Sequence, residues 1–460
     1  MKRGPLIVLD VVGLTKNLIG PNTPHLLEIG RAGSVLPLQC PFPALTLSAQ
    51  ASYLTGGLPK DHGIVGNGWY CREQEEPQFW RQPHRLLQRE DIATRLRRER
   101  PGFRVAKLFW WFNMYAPVDF AVTPRPLYPA DGRKIPDVHT FPATLRDELT
   151  QKFGPFPLFR FWGPAADLTS TDWIARTSLH LIAREKPDLS LVYLPHLDYD
   201  FQRYGSSHEQ SQKALREVDL IVSQFHELAL TMGAELMILS EYGIAPVREA
   251  ISLNRVLREH GYVAIRNELG LERMDYGASR AFAIADHQIA HIIVRNPKDR
   301  DAVAELLART PGVDQVLLGD DLKRAGMDHP RTGDLLAISN HDAWFTYYFW
   351  LDDRVAPDYA RTVDIHRKPG YDPVELFLDQ QIKFPKLRIA RRLLGKRLGF
   401  RNLMDVIGLD ASLVAGSHGR VPASPDDGPV LITKTPLDHS PKEGPLPYAS
   451  LPGLIADRSP

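Results

Sequence analysis

Three acidic residues come shortly after apolar runs that have the length and composition of buried strands. Asp10 follows Leu6–Leu9, Asp198 follows Leu189–Leu194, and Glu241 follows Glu235–Leu239. A single acid in such a position caps the next helix more often than it takes part in catalysis. Three of them would meet at one edge of a parallel sheet, where crowded carboxylates need a cation or a proton. We therefore predict that a cation site lies at the carboxyl ends of these strands.

Thr46 begins a second candidate segment, in which Pro43 and the pair Gly56-Gly57 bracket a short predicted helix. A hydroxyl at the start of a helix faces unpaired backbone N–H groups and the positive end of the helix dipole. Such surroundings suit a phosphate oxyanion. The alternative is an ordinary N-cap, which is the commonest role of threonine before a helix. The local pattern leaves both alternatives open.

Histidines that could supply an imidazole are spread over the chain. They are His418, in the sequence Gly416-Ser417-His418-Gly419, together with His196, His208, His287 and His291. His196 stands two residues before Asp198 and could reach the same pocket. For His418 a loop position without a special role is an equal alternative, and for the other four a hydrogen-bonded structural role is the commoner case. We expect Asp200 to face solvent or to lie behind the ligands.

The composition excludes several classes of protein. The 460 residues are 43% hydrophobic and 24% charged, which is typical of a globular protein and excludes disordered and fibrous chains. With 56 Lys+Arg against 55 Asp+Glu, the net charge of +1 gives no reason to propose nucleic acid or an acidic membrane as the main partner. Two cysteines cannot build a disulfide framework. No apolar run reaches the roughly 18–20 residues of a membrane span, and we predict a soluble, cytoplasmic protein.

Predicted strands and helices alternate along the chain. The strands are Leu6–Leu9, Val105–Trp110, Leu189–Leu194, Glu235–Leu239 and Ile289–Val294; the helices are Thr23–Ala32, Asp91–Arg98, Ser170–Arg184, Glu209–Leu230 and Arg300–Leu307. Strands separated by helices favour right-handed crossovers and a doubly wound sheet. Pro422–Pro460 is rich in Pro, Gly and Asp, and we expect an ordered wrap followed by a loose tail.

Three further segments could recognise a substrate. Trp69 and Tyr70 follow Asn67 closely, and Phe109–Phe112 form an aromatic run in which core packing is favoured over ligand stacking. His366-Arg367-Lys368 could meet a phosphate, although the Pro-Gly-Tyr-Asp-Pro sequence that follows mainly indicates a turn before a helix.

Taken together, the motifs resemble those of the alkaline phosphatase superfamily and, within it, the nucleotide pyrophosphatase/phosphodiesterase branch. The matching pieces are Asp10, Thr23–Leu26, Phe42–Thr46, Tyr53–Pro59, His62–Asn67, Leu197-Asp198 with Tyr204-Gly205, Ser240–Gly243 and Gly416–Gly419. The resemblance implies an alkaline-phosphatase-like α/β fold: a doubly wound central sheet with helices on both faces and a smaller inserted cap. We expect a core in residues 1–244, the cap in 245–410, and a return to the core with a C-terminal tail in 411–460.

The resemblance also implies metal-assisted phosphoryl transfer. Thr46 matches the nucleophile that forms a phosphothreonine intermediate, and Asn67 matches the amide that holds a non-bridging phosphate oxygen. One metal of the family would be held by the positions of Asp10, Thr46, Glu241 and Tyr242, and the other by those of Asp198, Gln202 and His418. Two such metals clamp the attacking and leaving oxygens of an in-line displacement.

The chain departs from the family pattern inside this metal shell. Glu241-Tyr242 stands where the family has Asp-His, and Gln202 stands where the family has a histidine. Only one imidazole remains among the expected ligands, so the donor set becomes rich in oxygen. We therefore expect one or two divalent ions, with magnesium, manganese or calcium favoured over a pair of zinc ions.

Two functions of different class follow. The first is a metal-dependent phosphoric ester hydrolase, phosphodiesterase-like or nucleotide-pyrophosphatase-like, that uses the threonine nucleophile. The alternative is a catalytically degenerate family member that binds a phosphorylated metabolite or a partner without turnover. We expect a small phosphorylated metabolite as ligand, with no nucleic acid polymer and no membrane span. The sequence leaves monoester, diester and pyrophosphate substrates open.

Overall fold

The structure is a computed structural model that describes residues 4–437 and 444–460. The strands of this part, numbered in chain order, are β1 (Leu6–Val11), β2 (Ser34–Pro37), β3 (Gly68–Cys71), β4 (Glu76–Phe79), β5 (Val105–Leu108), β6 (Phe120–Pro124), β7 (Val138–Phe141), β8 (Leu189–Leu194), β9 (Glu235–Leu239), β10 (Ala245–Pro246), β11 (Glu249–Ile251), β12 (Ala264–Glu268), β13 (Leu271–Asp275), β14 (Ala281–Asp286), β15 (Ile289–Val294), β16 (Val313–Leu317), β17 (Leu335–Ser339), β18 (Ala343–Phe345), β19 (Gly416–Ser417) and β20 (Val430–Thr433).

The helices are distributed along the same described residues. The α-helices are α1 (Pro24–Ala32), α2 (Thr46–Thr55), α3 (Pro59–His62), α4 (Ile92–Glu99), α5 (Thr144–Phe153), α6 (Leu168–Glu185), α7 (His196–Tyr204), α8 (Glu209–Met232), α9 (Leu253–Glu259), α10 (Arg300–Ala308), α11 (Asp320–Arg324), α12 (Pro385–Arg397) and α13 (Leu451–Arg458). Short 3-10 helices occupy Lys16–Leu18, His84–Leu86, Leu158–Arg160, Pro297–Asp299, Asp353–Val355, Asp358–Arg361, Pro373–Leu376, Ala411–Leu413, Pro425–Asp427 and Tyr448–Ser450.

Eight strands form a central mixed sheet in the order β2-β20-β9-β1-β8-β5-β6-β7. The five inner strands from β9 to β6 run parallel, whereas β7 and β20 are antiparallel to their neighbours. Every residue of β1 and β8 is buried, as expected for parallel strands that are covered on both faces. The carboxyl ends of β1, β8 and β9 therefore deliver the predicted acids to one edge of the sheet.

Helices cover both faces of this sheet. Ile7 and Leu9 of β1 pack in one core with α1, α6 and α8, while Leu6 and Val8 pack in another core with α2, α4 and α13. This alternation follows from the period of two along a strand. The doubly wound α/β fold is confirmed.

The strand predicted at Ile289–Val294 forms β15, and it belongs to a second sheet. That sheet is four-stranded and antiparallel, in the order β14-β15-β17-β16. The chain leaves the core at β10 and returns at β19, and these two short strands pair with each other. The predicted cap, residues 245–410, contains the second sheet, and its bounds stay a prediction.

Two expectations need correction. The strand predicted at Val105–Trp110 ends at Leu108, because Phe109 has a φ of +62° that breaks the extended backbone. The segment Pro422–Pro460 is not a wrap with a loose tail: β20 enters the central sheet between β2 and β9, and α13 is a helix. The apolar run Val430–Ile432 carries this strand, while residues 438–443 lie outside the described part.

Candidate active site

Thr46 is the first residue of α2, a helix in which every residue is buried. Leu45 occupies the N-cap position, with an extended φ of −129°, so the Thr46 hydroxyl does not cap the helix. Its Oγ1 lies 2.9 Å from the hydroxyl of Tyr242. The N-cap alternative is therefore wrong, and the hydroxyl is directed toward the residues that follow β9.

Asp10 and Glu241 form a buried carboxyl pair behind Thr46. The amide of Gln50 links them, because its Nε2 donates to Asp10 Oδ2 at 3.2 Å and to Glu241 Oε1 at 2.5 Å. The orientation of this amide is set by its Oε1, which accepts the backbone N–H of Trp111 at 2.7 Å. Asp10 Oδ1 and Glu241 Oε2 are buried without a hydrogen-bond partner among the described residues. The pair thus presents two unsatisfied oxygens.

The protonation of this pair reflects its burial. Burial raises the pKa of Asp10 to about 7. Burial also raises the pKa of Glu241 well above its ordinary value, and the negative charge of Asp10 raises it further. Two carboxylates in such surroundings take up a proton or a cation. The same burial raises the pKa of Tyr242 well above 10, so this phenol is neutral.

Asp198 and His418 form the second part of the site. The imidazole of His418 donates from Nδ1 to the carbonyl of Ala44 at 2.7 Å, which leaves the Nε2 lone pair free to face Asp198 Oδ1 at 3.9 Å. Asp198 Oδ1 is buried without a hydrogen-bond partner in the described structure, and burial raises the pKa of Asp198 to about 7. The backbone of Ala44 in turn donates to Gly419 at 2.9 Å, so the loop of His418 is tied to the segment before Thr46.

A stack of four rings crosses the site. Tyr242 and His418 stack with centroids 3.6 Å apart, His418 and His287 lie 3.8 Å apart, and His287 and Tyr371 lie 3.6 Å apart. The two phenols at the ends of the stack engage predicted ligands: Tyr242 contacts Thr46, and the Tyr371 hydroxyl donates to Gln202 Oε1 at 2.9 Å. The carbonyl oxygen of Gln202, expected to serve a metal, thus has a phenol as its partner.

His287 enters this stack from the cap. It lies in the two-residue turn between β14 and β15, with a φ of +61°, a conformation that non-glycine residues adopt mainly at constrained sites. Its Nδ1 donates to Asp286 Oδ1 at 2.9 Å, and its Nε2 is buried with no partner in the described residues. Burial holds the pKa of His287 well below 6.5, so the ring is neutral.

Asn67 is fully buried beside the start of α2. Its Oδ1 accepts the backbone N–H of Leu47 at 3.1 Å, and its Nδ2 donates to Asp286 Oδ1 at 3.1 Å. The backbone N–H of Asn67 also donates to Asp286, at 2.8 Å. Asn67 therefore joins the first turn of α2 to the cap turn, and its contact with a phosphate oxygen stays a prediction.

The other candidate histidines have structural partners. His196 Nε2 lies 2.9 Å from Glu217, His208 caps α8 by accepting the N–H of Gln210, and His291 donates to the carbonyl of Val65 at 3.1 Å. Asp200 pairs with Arg203 at 3.0 Å. None of these residues joins Thr46 in the lining of the cavity described next.

Thr46, Asp198, Tyr242, His287 and His418 share one cavity of about 1230 Å³. Asp10, Glu241, Gln202 and Asn67 lie behind its wall and have no solvent exposure. The remaining lining combines aromatic rings with basic side chains: Trp80, Trp111, Phe161, Trp162 and Tyr371, with Arg81, Arg125, Arg133, Lys134, His366, Arg367, Lys396 and Arg397. The cavity could hold an anionic group together with a large apolar or aromatic one.

The predicted recognition segments are only partly at this cavity. Trp111 lines it, while its neighbours Phe109 and Trp110 belong to the core. Trp69 and Tyr70 also pack in cores. Lys368 cannot meet a phosphate, because it is buried between Asp372 at 2.6 Å and Glu375 at 2.7 Å.

The donors present fit one hard cation better than two metals. Within residues 4–437 and 444–460, no three His, Cys, Asp or Glu side chains form a cluster that could hold a metal ion. The free oxygens of Asp10 and Glu241, with the Thr46 hydroxyl, match the way magnesium binds through one or two carboxylates and completes its shell with water and substrate phosphate. Asp198 and His418 lack a third donor, since Gln202 Oε1 accepts from Tyr371.

Comparison with known families decides the assignment. The model of the Type I phosphodiesterase / nucleotide pyrophosphatase family matches residues 6–372. The chain belongs to this family. An uncharacterised pyrophosphatase/phosphodiesterase of Schizosaccharomyces pombe is 22% identical over 246 residues, which are 49% of this chain and 42% of that protein. The match thus spans less than half of the relative's length.

Solved structures share the fold of this phosphodiesterase-family chain. Phosphonoacetate hydrolase from Sinorhizobium meliloti 1021, in complex with phosphonoformate, superposes with a TM-score of 0.63 at 14% identity, covering 99% of this chain and 96% of that one. Murine ectonucleotide pyrophosphatase / phosphodiesterase 5, an inactive threonine-to-alanine variant in complex with AMP, has a TM-score of 0.59 at 12% identity and covers 100% and 95%. These likenesses confirm the predicted fold, and the family match over residues 6–372 confirms the predicted nucleotide pyrophosphatase/phosphodiesterase branch.

Two site residues were not predicted from the sequence. Gln50 lies one helical turn after Thr46, and this spacing of four residues places both on one face of α2. This spacing could have indicated from the sequence that Gln50 lies near Thr46. Tyr371 stands in a segment that indicated only a turn, and no local pattern connects it with Gln202.

Proposed function

We propose that this chain is a phosphoric ester hydrolase of the phosphodiesterase type in which Thr46 is the nucleophile. The observation that carries the proposal is the position of Thr46 Oγ1, at the start of a buried helix, on the wall of the large cavity and 2.9 Å from Tyr242. The backbone N–H groups of the first turn of α2 favour a phosphate group at this place. The inactivity of the murine structural relative's threonine-to-alanine variant supports the same role.

The reaction begins with attack of Thr46 Oγ on phosphorus, and the bond from phosphorus to the leaving-group oxygen breaks. The phosphothreonine that results is hydrolysed by water, which returns the free hydroxyl. Tyr242, a neutral phenol, shares a hydrogen bond with Thr46 Oγ1. Burial and the charge of Asp10 raise the pKa of Glu241 well above its ordinary value, and in this proposal Glu241 accepts the hydroxyl proton of Thr46.

Asp10, Glu241 and the Thr46 hydroxyl would hold a divalent ion, with magnesium, manganese or calcium preferred by their oxygen donors. When bound, such an ion supplies Lewis-acid stabilisation of the phosphoryl oxygens. The free Nε2 of His418 and the aromatic walls of the cavity orient the ester. Phosphonoformate and AMP, found in the structural relatives, give the class of ligand that we propose: a small phosphorylated or phosphonylated metabolite.

Trapping of the intermediate tests the proposal. The protein is incubated with bis-p-nitrophenyl phosphate or p-nitrophenyl phosphate and each divalent ion, quenched in acid and mapped by peptide mass spectrometry. A nitrophenylphosphoryl group is expected on Thr46 with the diester and a phosphate with the monoester. Thr46→Ala should carry neither group, and Thr46→Ser should keep a measurable part of the turnover. Thr55→Ala is the matched control, because Thr55 ends the same helix and bonds only to local backbone and its own turn. Full activity of Thr46→Ala refutes the assignment.

The second candidate is a binding protein without turnover, and one observation favours it. The oxygen of Gln202 and the hydroxyl of Thr46 are each engaged by a phenol, where metal-assisted chemistry needs free donors. Calorimetry with AMP separates the two functions. Binding of AMP by a folded protein that turns over neither nitrophenyl ester with magnesium, manganese, calcium or zinc establishes the degenerate member.

A further inference from the structure

The helix α12 and the residues around it carry an unusual concentration of positive charge. Residues 380–404 contain no Asp or Glu and eight basic residues: Lys383, Lys386, Arg388, Arg391, Arg392, Lys396, Arg397 and Arg401. The whole chain has a net charge of +1, so the remaining residues are net negative. The net charge of the whole chain therefore gives no sign of this strongly basic segment. We call the surface formed by residues 380–404 the α12 surface.

Most of these cations have no acidic partner in the structure. Arg388 and Arg392 both pair with Asp405. For Lys383, Lys386, Arg391, Lys396 and Arg397, no carboxylate of residues 4–437 or 444–460 lies within ion-pair distance. Four of these five cations lie on α12 itself and Lys383 lies just before it, so no nearby carboxylate in the described part of the chain neutralises their positive charge.

Apolar side chains are exposed between these cations. α12 contains no fully buried residue, and Leu387, Leu394 and Leu398 are 68%, 58% and 66% exposed. Their spacing of seven and four residues places the three on one stripe of the helix. Phe384 and Phe400 extend the stripe at its two ends, with exposures of 63% and 67%. Contiguous exposed apolar residues of this size mark an interaction surface.

The opposite side of α12 belongs to the substrate cavity. Ile389, Leu393, Lys396 and Arg397 line the same cavity as Thr46. The apolar stripe and the lining thus lie on two faces of one helix. A partner that contacts the stripe would therefore contact the helix that lines the cavity.

We propose that the α12 surface docks on a lipid bilayer that contains anionic phospholipids. A basic helix with an apolar stripe lies in the plane of such a bilayer, with leucine and phenylalanine at the acyl boundary and lysine and arginine at the phosphates. A nucleic acid would leave the leucine stripe in water. A second copy of the chain would oppose two sets of unpaired cations. Charge and apolarity together therefore favour the bilayer over both.

Co-sedimentation of the full chain with vesicles tests the proposal. We expect binding to vesicles of phosphatidylcholine with 30% phosphatidylserine, little binding to pure phosphatidylcholine, and weakening in high salt. Lys383→Gln, Lys386→Gln and Arg391→Gln combined should weaken binding about 100-fold, since each cation near the surface contributes about five-fold. Leu387→Ser, Leu394→Ser and Leu398→Ser combined should abolish it. None of the six lines the cavity, so hydrolysis of a soluble ester should persist.

Matched controls keep the test independent of folding and of the catalytic proposal. Leu220→Ser with Leu230→Ser removes exposed leucines from α8, and Arg309→Gln with Lys323→Gln and Arg324→Gln removes exposed charge elsewhere; both should bind vesicles normally. Circular dichroism checks that each variant is folded. Equal binding by neutral and anionic vesicles, or unchanged binding by both α12 triple variants, overturns the proposal. So does a fluorescent oligonucleotide that displaces vesicles, or a dimer in light scattering that the leucine variant dissolves.

Discussion

The hydroxyl of Tyr242 lies 2.9 Å from Oγ1 of Thr46, at a position where the family resemblance implies an imidazole that ligates metal. A neutral phenol in this place orients the Thr46 hydroxyl by a hydrogen bond. It cannot contribute the nitrogen lone pair of a histidine. The relationship makes Tyr242 the residue whose replacement is most informative.

Tyr242→Phe should reduce turnover by about five- to ten-fold, because one hydrogen bond of about 1 kcal/mol to the nucleophile is lost while the ring stack is kept. Steady-state kinetics with a nitrophenyl ester measures the change, which should be in kcat. Tyr371→Phe is the control that removes the other phenol of the stack. An increase in kcat for Tyr242→Phe would show that the phenol restrains Thr46.

Restoring the family's imidazoles should change the metal preference. Tyr242→His combined with Gln202→His supplies two nitrogen donors, so zinc affinity should rise relative to magnesium. Elemental analysis and metal titration of the unmodified and double-variant proteins measure the shift. Purification of the unmodified protein with two stoichiometric zinc ions would contradict the oxygen-rich interpretation.

Gln50→Glu should make the fold depend on a cation. The substitution replaces an amide that donates to Asp10 and Glu241 by a third carboxyl group in the same buried place. Carboxylates crowded in this way repel each other unless a proton or a cation is present. The melting temperature in EDTA should fall by several degrees and recover with magnesium. Gln50→Leu, which adds no charge, is the control and should show a smaller response to magnesium.

Asn67→Ala should lower turnover by roughly two to three orders of magnitude, the usual effect of removing one donor to a developing oxyanion. The structure adds a second consequence. Asn67 also joins Leu47 to Asp286, so its loss should loosen the contact between α2 and the cap turn. Thermal denaturation separates the two effects, and a loss of turnover below ten-fold in a folded variant would count against the phosphate role.

His62 should make stability depend on pH. Its Nδ1 accepts the N–H of Ile64, and its Nε2 lies 3.1 Å from Ser52 Oγ. Burial lowers the pKa of the ring from 6.5 to about 3. Between these values the unfolded chain binds a proton that the folded chain does not. The stabilisation is therefore complete above pH 6.5 and is lost as the pH falls toward 3.

At pH 4.5 this loss amounts to about 2–3 kcal/mol. Urea denaturation at pH 7.5 and 4.5 measures it in the unmodified protein and in His62→Gln. The glutamine variant should lose less stability between the two pH values. Buried carboxyl groups that titrate with the opposite sign are the same in both proteins and cancel in the comparison. Identical losses would contradict the assignment to His62.

The parts of the site that follow from sequence are those carried by strand ends and by one short helix. Asp10, Asp198 and Glu241 reach the same edge of the sheet because β8, β1 and β9 are parallel neighbours. The apolar runs and intervening helices predict such a parallel sheet. Thr46 begins its helix as expected. These inferences rest on two things: the periodicity of short segments, which can be read from a few residues, and the general geometry of parallel sheets.

Contacts made across long sequence separations could not be predicted in this way. Tyr371 bonds to Gln202 only because the cap folds back over the core, and Asn67 meets Asp286 for the same reason. The net charge also carries no information about position, because a total of +1 averages the basic α12 surface with an acidic remainder. Each case needs the positions of distant segments in space.

The core that supports Thr46 is closed by segments that follow it at a great distance in the chain. β20 pairs with β2 and β9, and α13 packs with Tyr53 and Leu54 of α2 in one core. During translation, α2 is therefore synthesised long before β20 and α13, which pack around it. A nascent chain that ends before residue 430 carries the motifs up to His418 and yet lacks one strand of the central sheet, so activity should appear late in translation. Truncated translation products should be inert. Chaperones should bind the nascent chain most strongly before β20 is made, when β2 and β9 lack the strand that lies between them.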